Sequence, residues 1–135
     1  MYIASSCLCG IECRYDGKSN INDDIIKLYK EGKIISVCPE ELAGLGAPRT
    51  PIEIVGDKIL DKNGNDYTEQ INNGIEIAMD LVKNAVVEKA FLKSKSPTCG
   101  YGLIYDGTFS GNLVKGNGIF AQKLLDNSID IQSCN

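Results

Sequence analysis

The chain contains no histidine and no tryptophan. Without histidine, the commonest general base and the commonest zinc ligand are missing, and every Ser-His or Cys-His catalytic pair is excluded. Chemistry must fall to Cys, Asp, Glu, Ser, Lys or Tyr. Positive charge is also scarce: 14 Lys and Arg stand against 18 Asp and Glu, for a net charge of −4 and a pI near 4.8. That balance provides no basic field for holding long nucleic acid and suits a small-molecule substrate better. No apolar stretch is long enough for a membrane span. The start, Met1-Tyr2-Ile3-Ala4-Ser5-Ser6, has neither the basic opening nor the apolar run of a signal peptide. The expectation is a cytoplasmic protein without a membrane partner.

What is present suffices for one core. A chain of 135 residues with 43% hydrophobic composition supports a single domain over 1–135. It carries six cysteines, which in a reducing compartment point to metal binding or catalysis rather than to disulfides.

The segment 2–6 predicts a short buried strand running into the loop Cys7-Leu8-Cys9-Gly10 and the turn Arg14-Tyr15-Asp16-Gly17. Asn22 or Asp23 can cap a helix that Gly32 stops. Ile34-Ile35-Ser36-Val37-Cys38 reads as a β-branched strand closed by Pro39. Residues 51–66 read as a peripheral hairpin around Gly56-Asp57. Asp66 and Glu69 have capping-box spacing, and Ile71, Ile75, Ala78 and Val82 recur at helical spacing, which predicts a helix over 67–84. A strand over 86–92 leads into Lys93-Ser94-Lys95-Ser96-Pro97-Thr98-Cys99-Gly100. A second hairpin at about 103–115, a helix opened by Gly116-Asn117-Gly118 and a last strand at 129–131 complete the pattern.

Strands alternating with helices imply an α/β fold: a three-layer, mostly parallel, Rossmann-like sheet with peripheral hairpins. Right-handed crossovers then bring the loops after successive strands to one edge, where ligands bind. Cys7, Cys38 and Cys99 each follow a predicted strand, so the topology gathers them from distant stretches of chain.

Four pieces together, Ser5-Ser6-Cys7-Leu8-Cys9-Gly10, Arg14-Tyr15-Asp16-Gly17, Val37-Cys38-Pro39-Glu40 and the Lys93–Gly100 string, resemble the thiouracil desulfidase family. The likeness extends to Pro48-Arg49 and to Asp106-Gly107-x-Phe109-Ser110-Gly111. Members more often carry leucine where this chain has Cys9, and arginine where it has Lys95. The resemblance implies a [4Fe–4S] cluster on Cys7, Cys38 and Cys99, with the fourth iron open or carrying sulfide. It further implies catalytic roles for Glu40 and Ser96. Asp16, Arg14 and Lys95 are candidate substrate contacts. The activity so implied is non-redox, hydrolytic conversion of 2-thiouracil or a related thiolated pyrimidine to its oxo form, with sulfide as co-product.

Other readings stand beside this one. Cys7, Cys9 and Cys13 could join Cys38 in a zinc site. The substrate could be thiolated uridine in a nucleotide or tRNA, or the chain could be a non-catalytic iron–sulfur or zinc module. Glu41 is the neighbouring alternative to Glu40. Cys134 reads as an unattached thiol near the chain end. Gly116-x-Gly118 could receive an anion, although a simple helix cap explains it equally.

Overall fold

In the computed structural model, which describes residues 1–135, the first half of the chain runs β1 (Tyr2–Ser5), a 3-10 turn (Ser6–Cys9), α1 (Asp23–Lys30), β2 (Ile34–Val37), α2 (Pro39–Leu42), β3 (Ile52–Val55) and β4 (Lys58–Asp61). The second half runs α3 (Thr68–Val82), β5 (Lys89–Lys93), β6 (Leu103–Tyr105), β7 (Leu113–Lys115), α4 (Ile119–Asp126) and β8 (Ile131–Cys134).

Four strands form one sheet in the order β2-β1-β5-β8, all parallel. Parallel sheets are covered on both faces, so each strand must supply apolar side chains to both. Ile3, Val37, Ala90 and Leu92 enter one core together with Ile71, Ile75, Phe120 and Leu124 from α3 and α4. Ala4 and Ile34 enter a second with Leu8 and with Ile25 of α1, and Tyr2 and Phe91 pack against it. The result is a single α/β domain, helix layers enclosing a parallel sheet. Complete burial of a side chain such as Phe120 contributes about 1.5–3 kcal/mol. No helix is long and apolar enough to cross a membrane.

The helix ends follow local chemistry. Asn22 caps α1, its side-chain oxygen accepting from the Ile25 amide at 3.2 Å, with acids in the first turn and lysines in the last, as the helix dipole favours. The expected capping box on α3 does not form. Asp66 instead accepts from the amide and hydroxyl of Thr68, at 2.8 and 2.6 Å, and Tyr67 takes the N-cap position. Pro39 does close β2, but it also opens α2, because its missing N–H costs nothing in a helix's first turn. This short helix lies directly on α3. A Cβ on Gly74 would stand 2.2 Å from the Pro39 carbonyl oxygen, so only glycine permits the approach.

Pairing moves two strand boundaries. β5 begins at Lys89 rather than at Val86, which is 87% exposed. The last strand covers 131–134 rather than 129–131, because Ala90–Lys93 pairs with Ile131–Cys134. Cys134 is therefore a buried strand residue whose carbonyl accepts from the Ser94 amide at 2.7 Å, and its thiol is unattached, as expected. The two hairpins form their own two-stranded sheets outside the parallel one. They are more than decoration, as their contacts with the cavity show.

Candidate functional site

The loops after β1, β2 and β5 open onto a cavity of about 1060 Å³. Cys7, Cys38 and Cys99 all line it, and so does Cys13. Glu40, Ser96, Arg14 and Lys95 also face it. Asp16 does not: it pairs with Arg14 at 3.1 Å and accepts from the Lys18 amide at 3.0 Å, which makes it a turn former that orients the arginine. Cys9 packs among apolar side chains beside Ile25 instead of lining the cavity. All six cysteines are free thiols.

Each cysteine is presented by different local structure. Cys7 sits in the 3-10 turn that Gly10 ends in the left-handed conformation, and its carbonyl accepts from the Asn20 amide at 2.8 Å. Cys38 is the residue before α2, with the Glu41 amide turned toward its sulfur. Cys99 lies in a loop organised by Ser96, whose Oγ accepts from the amides of Thr98 and Cys99, both at 3.1 Å, and meets Thr98 Oγ1 at 3.0 Å. Lys95 enters this loop with φ of 68°, a left-handed value uncommon outside glycine. The start of α4 closes the same loop. The Ile119 amide donates to the Pro97 carbonyl and the Phe120 amide to that of Thr98, at 3.0 and 2.9 Å. Those carbonyls occupy the helix N-terminus, so the glycine pair at 116 and 118 serves as a cap and not as an anion site.

The thiols differ electrostatically. Hydrogen bonding with Cys13 holds Cys7 and Cys38 below the ordinary thiol range, helped at Cys7 by Asn20, Lys93 and Arg14 and at Cys38 by the Glu41 amide. The same contacts, with burial, push Cys13 up. Burial raises Cys99, against hydrogen bonds from Ser5 and Thr98. Burial likewise raises Cys9 to about 11.

Glu40 is clamped. Arg49 Nη2 donates to its Oε2 at 2.7 Å, and Nη1 donates to the Gly46 carbonyl, also at 2.7 Å. The side chains of Arg49 and Glu40 are only 7% and 15% exposed. The remaining carboxylate oxygen, Oε1, has no hydrogen-bond partner in the protein. The hairpins wall the far side. Ile52 and Glu53 of β3, with Tyr105 and Phe109 of the second hairpin, line the cavity. Glu53 Oε1 fastens the second hairpin to the first by accepting from the amides of Gly107 and Phe109, at 3.0 and 3.3 Å.

Asn20 is a site residue that nothing in the sequence pattern marks. Its Oδ1 accepts from Arg14 Nη1 at 2.8 Å, and because arginine only donates, this contact fixes which way the amide points. Nδ2 is buried on the cavity wall with no acceptor in hydrogen-bond geometry, and it faces the Cys7 sulfur, which it helps hold below the ordinary thiol range without closing a full bond to the neutral thiol. A buried donor without an acceptor costs about 1–3 kcal/mol. A sulfur ligand carrying negative charge would satisfy it.

Comparison with known proteins places the whole chain. The family profile described as 2-thiouracil desulfurase matches residues 3–135. The Bacillus subtilis (strain 168) protein YbbK, which carries no assigned function, is 40% identical over 134 residues, covering 92% of this chain and 89% of its own length. A solved structure, the [4Fe-4S]-dependent thiouracil desulfidase TudS, superposes with a TM-score of 0.91 at 36% identity, covering 98% of this chain and 89% of its own.

Proposed function

Because this chain belongs to the 2-thiouracil desulfurase family, we propose that it is a [4Fe–4S]-dependent desulfidase. It converts 2-thiouracil or a related thiolated pyrimidine to the oxo form and releases sulfide. Residues 1–135 form one catalytic domain working in the cytoplasm, where reducing conditions preserve thiolates and an exposed cluster. The observation that carries this reading is the meeting of Cys7, Cys38 and Cys99, from three sequence-distant loops, at one cavity with a clamped carboxylate.

The donor set suits the cluster. Cys7, Cys38 and Cys99 would hold it, two of them already lowered toward the thiolate form that ligation requires. The buried Asn20 amide would find its acceptor in the Cys7 sulfur once that sulfur carries charge. When bound, the cluster supplies a thiophilic, Lewis-acidic iron at the corner that no cysteine takes.

The protein's own residues account for the proton traffic. Replacing C=S by C=O with water yields hydrogen sulfide and moves no net electrons. Glu40 Oε1, free of the Arg49 pair, takes the proton from the attacking water, a role commonly worth about 10²–10⁴-fold. Ser96 has spent its acceptor capacity on two backbone amides. Its one proton therefore goes to Thr98 Oγ1, whose own proton points to the Cys99 sulfur, so Ser96 holds the Cys99 loop in shape and orients water or substrate by turning that proton away from Thr98. Arg14 and Lys95 contact the substrate ring or its substituent, and Asp16 orients Arg14.

The test is anaerobic reconstitution followed by a sulfide-release assay on 2-thiouracil. Stoichiometric uracil and sulfide support the reading, and metal loading without turnover makes the protein a non-catalytic module. The cavity size supports a second reading, a thiolated nucleotide. A volume of about 1060 Å³ with Arg14, Lys62, Lys93 and Lys95 along it has room for cluster, base and phosphate. Comparing free thiouracil, its nucleoside monophosphate and thiolated tRNA separates the substrates, and the net charge of −4 favours the smaller two.

A further inference from the structure

The cavity holds one thiol more than the cluster needs, and that thiol is not spread out with the others. Cys13 lines the cavity together with Cys7 and Cys38. The Cys38 thiol also reaches the Cys13 carbonyl at 4.0 Å. The ligand atoms of Cys13, Cys38 and Glu41 all lie within 4.8 Å of one another. In a tetrahedral thiolate site with metal–sulfur bonds of about 2.3 Å, neighbouring ligand atoms stand about 3.8 Å apart. Cysteines on a cubane each ligate a different iron and must stand further apart than ligands of one ion. Cys99 belongs to the other arrangement: it is bonded to Thr98 at 3.8 Å and to Ser5, outside the tight group.

We propose that the cluster-free chain binds a single thiophilic divalent cation, of the zinc, cadmium or cobalt class, through Cys13, Cys38 and Glu41. This site is mutually exclusive with the cluster, because both use Cys38; in that respect it rests on the functional reading above. The donors suit soft ions and not magnesium or calcium, which take oxygen ligands. Binding expels the thiol protons, and Arg49 offsets part of the resulting negative charge at Cys38. Glu41 is exposed, so the ion has an entry from solvent. Cys13 thereby acts as a selector: it adds nothing to cluster ligation and tightens the grip on the wrong metal.

The experiment is a cobalt(II) titration of the full-length, anaerobically prepared, cluster-free protein, read by d–d and thiolate-to-cobalt charge-transfer absorption. Wild type should take one ion per chain. Cys13→Ser should weaken binding more than about tenfold and lower the charge-transfer intensity per cobalt. Glu41→Gln, a surface change that leaves folding intact, should weaken binding while keeping that intensity. Cys99→Ser should bind cobalt as wild type does. In parallel, iron reconstitution should load Cys13→Ser and fail in Cys99→Ser. Equal cobalt affinity in wild type and Cys13→Ser, or loss of cobalt in Cys99→Ser, overturns the proposal. Full iron loading of Cys99→Ser instead overturns the cluster ligand set and leaves the cobalt result to stand on its own.

Discussion

On the side of the cavity formed by the loop after β5, polar groups are bonded to nearby backbone. On the side formed by the loops after β1 and β2, they are bonded mainly to each other. Ser96 accepts two amides, Thr98 bonds Ser96 and Cys99, and the carbonyls of Pro97 and Thr98 cap α4. That wall is complete without a guest. Across from it, Cys13 is shared between Cys7 and Cys38, Arg49 clamps Glu40 by one oxygen, and the Asn20 amide has no acceptor. Side chains that satisfy one another can exchange partners when a guest arrives, whereas those tied to backbone amides cannot without unfolding the loop. The lesson is a division of labour: one wall is preformed around Cys99, and the other can rearrange around Cys7, Cys38 and Glu40.

Substitutions should break the comparison in graded steps. The largest effect is expected at the ligands: Cys7→Ser, Cys38→Ser and Cys99→Ser should each abolish cluster iron and sulfide release together, measured by iron analysis after anaerobic reconstitution. Glu40→Gln should keep the iron yet slow turnover of 2-thiouracil by about 10²–10⁴-fold, since it removes a positioned base and not a ligand. Asn20→Leu should reduce cluster retention against a chelator by about 10–100-fold, because it strips a hydrogen bond from a ligand on the adaptable wall. Equal chelation rates would show that the orphan amide has no part in holding the sulfur. The smallest functional effect, and mainly one of stability, is expected at Gly118. A Cβ there would stand 2.5 Å from the Thr98 carbonyl. Gly118→Ala should therefore cost about 1–3 kcal/mol in denaturant unfolding by displacing the preformed wall.

Much of this was legible from residues alone. The alternation of strands and helices, with a cysteine after three of the strands, carried the sheet and the convergence of Cys7, Cys38 and Cys99 at one edge. The apolar spacing from Ile71 to Val82 located α3. What escaped was set by partners distant in sequence. The end of β8 depends on pairing with β5, so local pattern alone points to 129–131 instead of 131–134. The failed capping box at Asp66 depends on Thr68 competing for the same carboxylate, while the Thr68 hydroxyl also accepts from the Ile59 amide. The hairpins read as peripheral because their link to the cavity runs through Glu53 and the backbone of Gly107 and Phe109, which no local pattern announces. Asn20 and Cys13 gain meaning only from the three-dimensional neighbourhood of Cys7.

Uracil and sulfide formed from 2-thiouracil, per chain of protein reconstituted anaerobically with iron and sulfide, is the measurement on which the account turns. Protein carrying about four irons per chain should convert the thiobase stoichiometrically without added reductant, and metal-free protein should convert none. Full iron loading with no sulfide released, or turnover persisting after the iron is stripped, would contradict it.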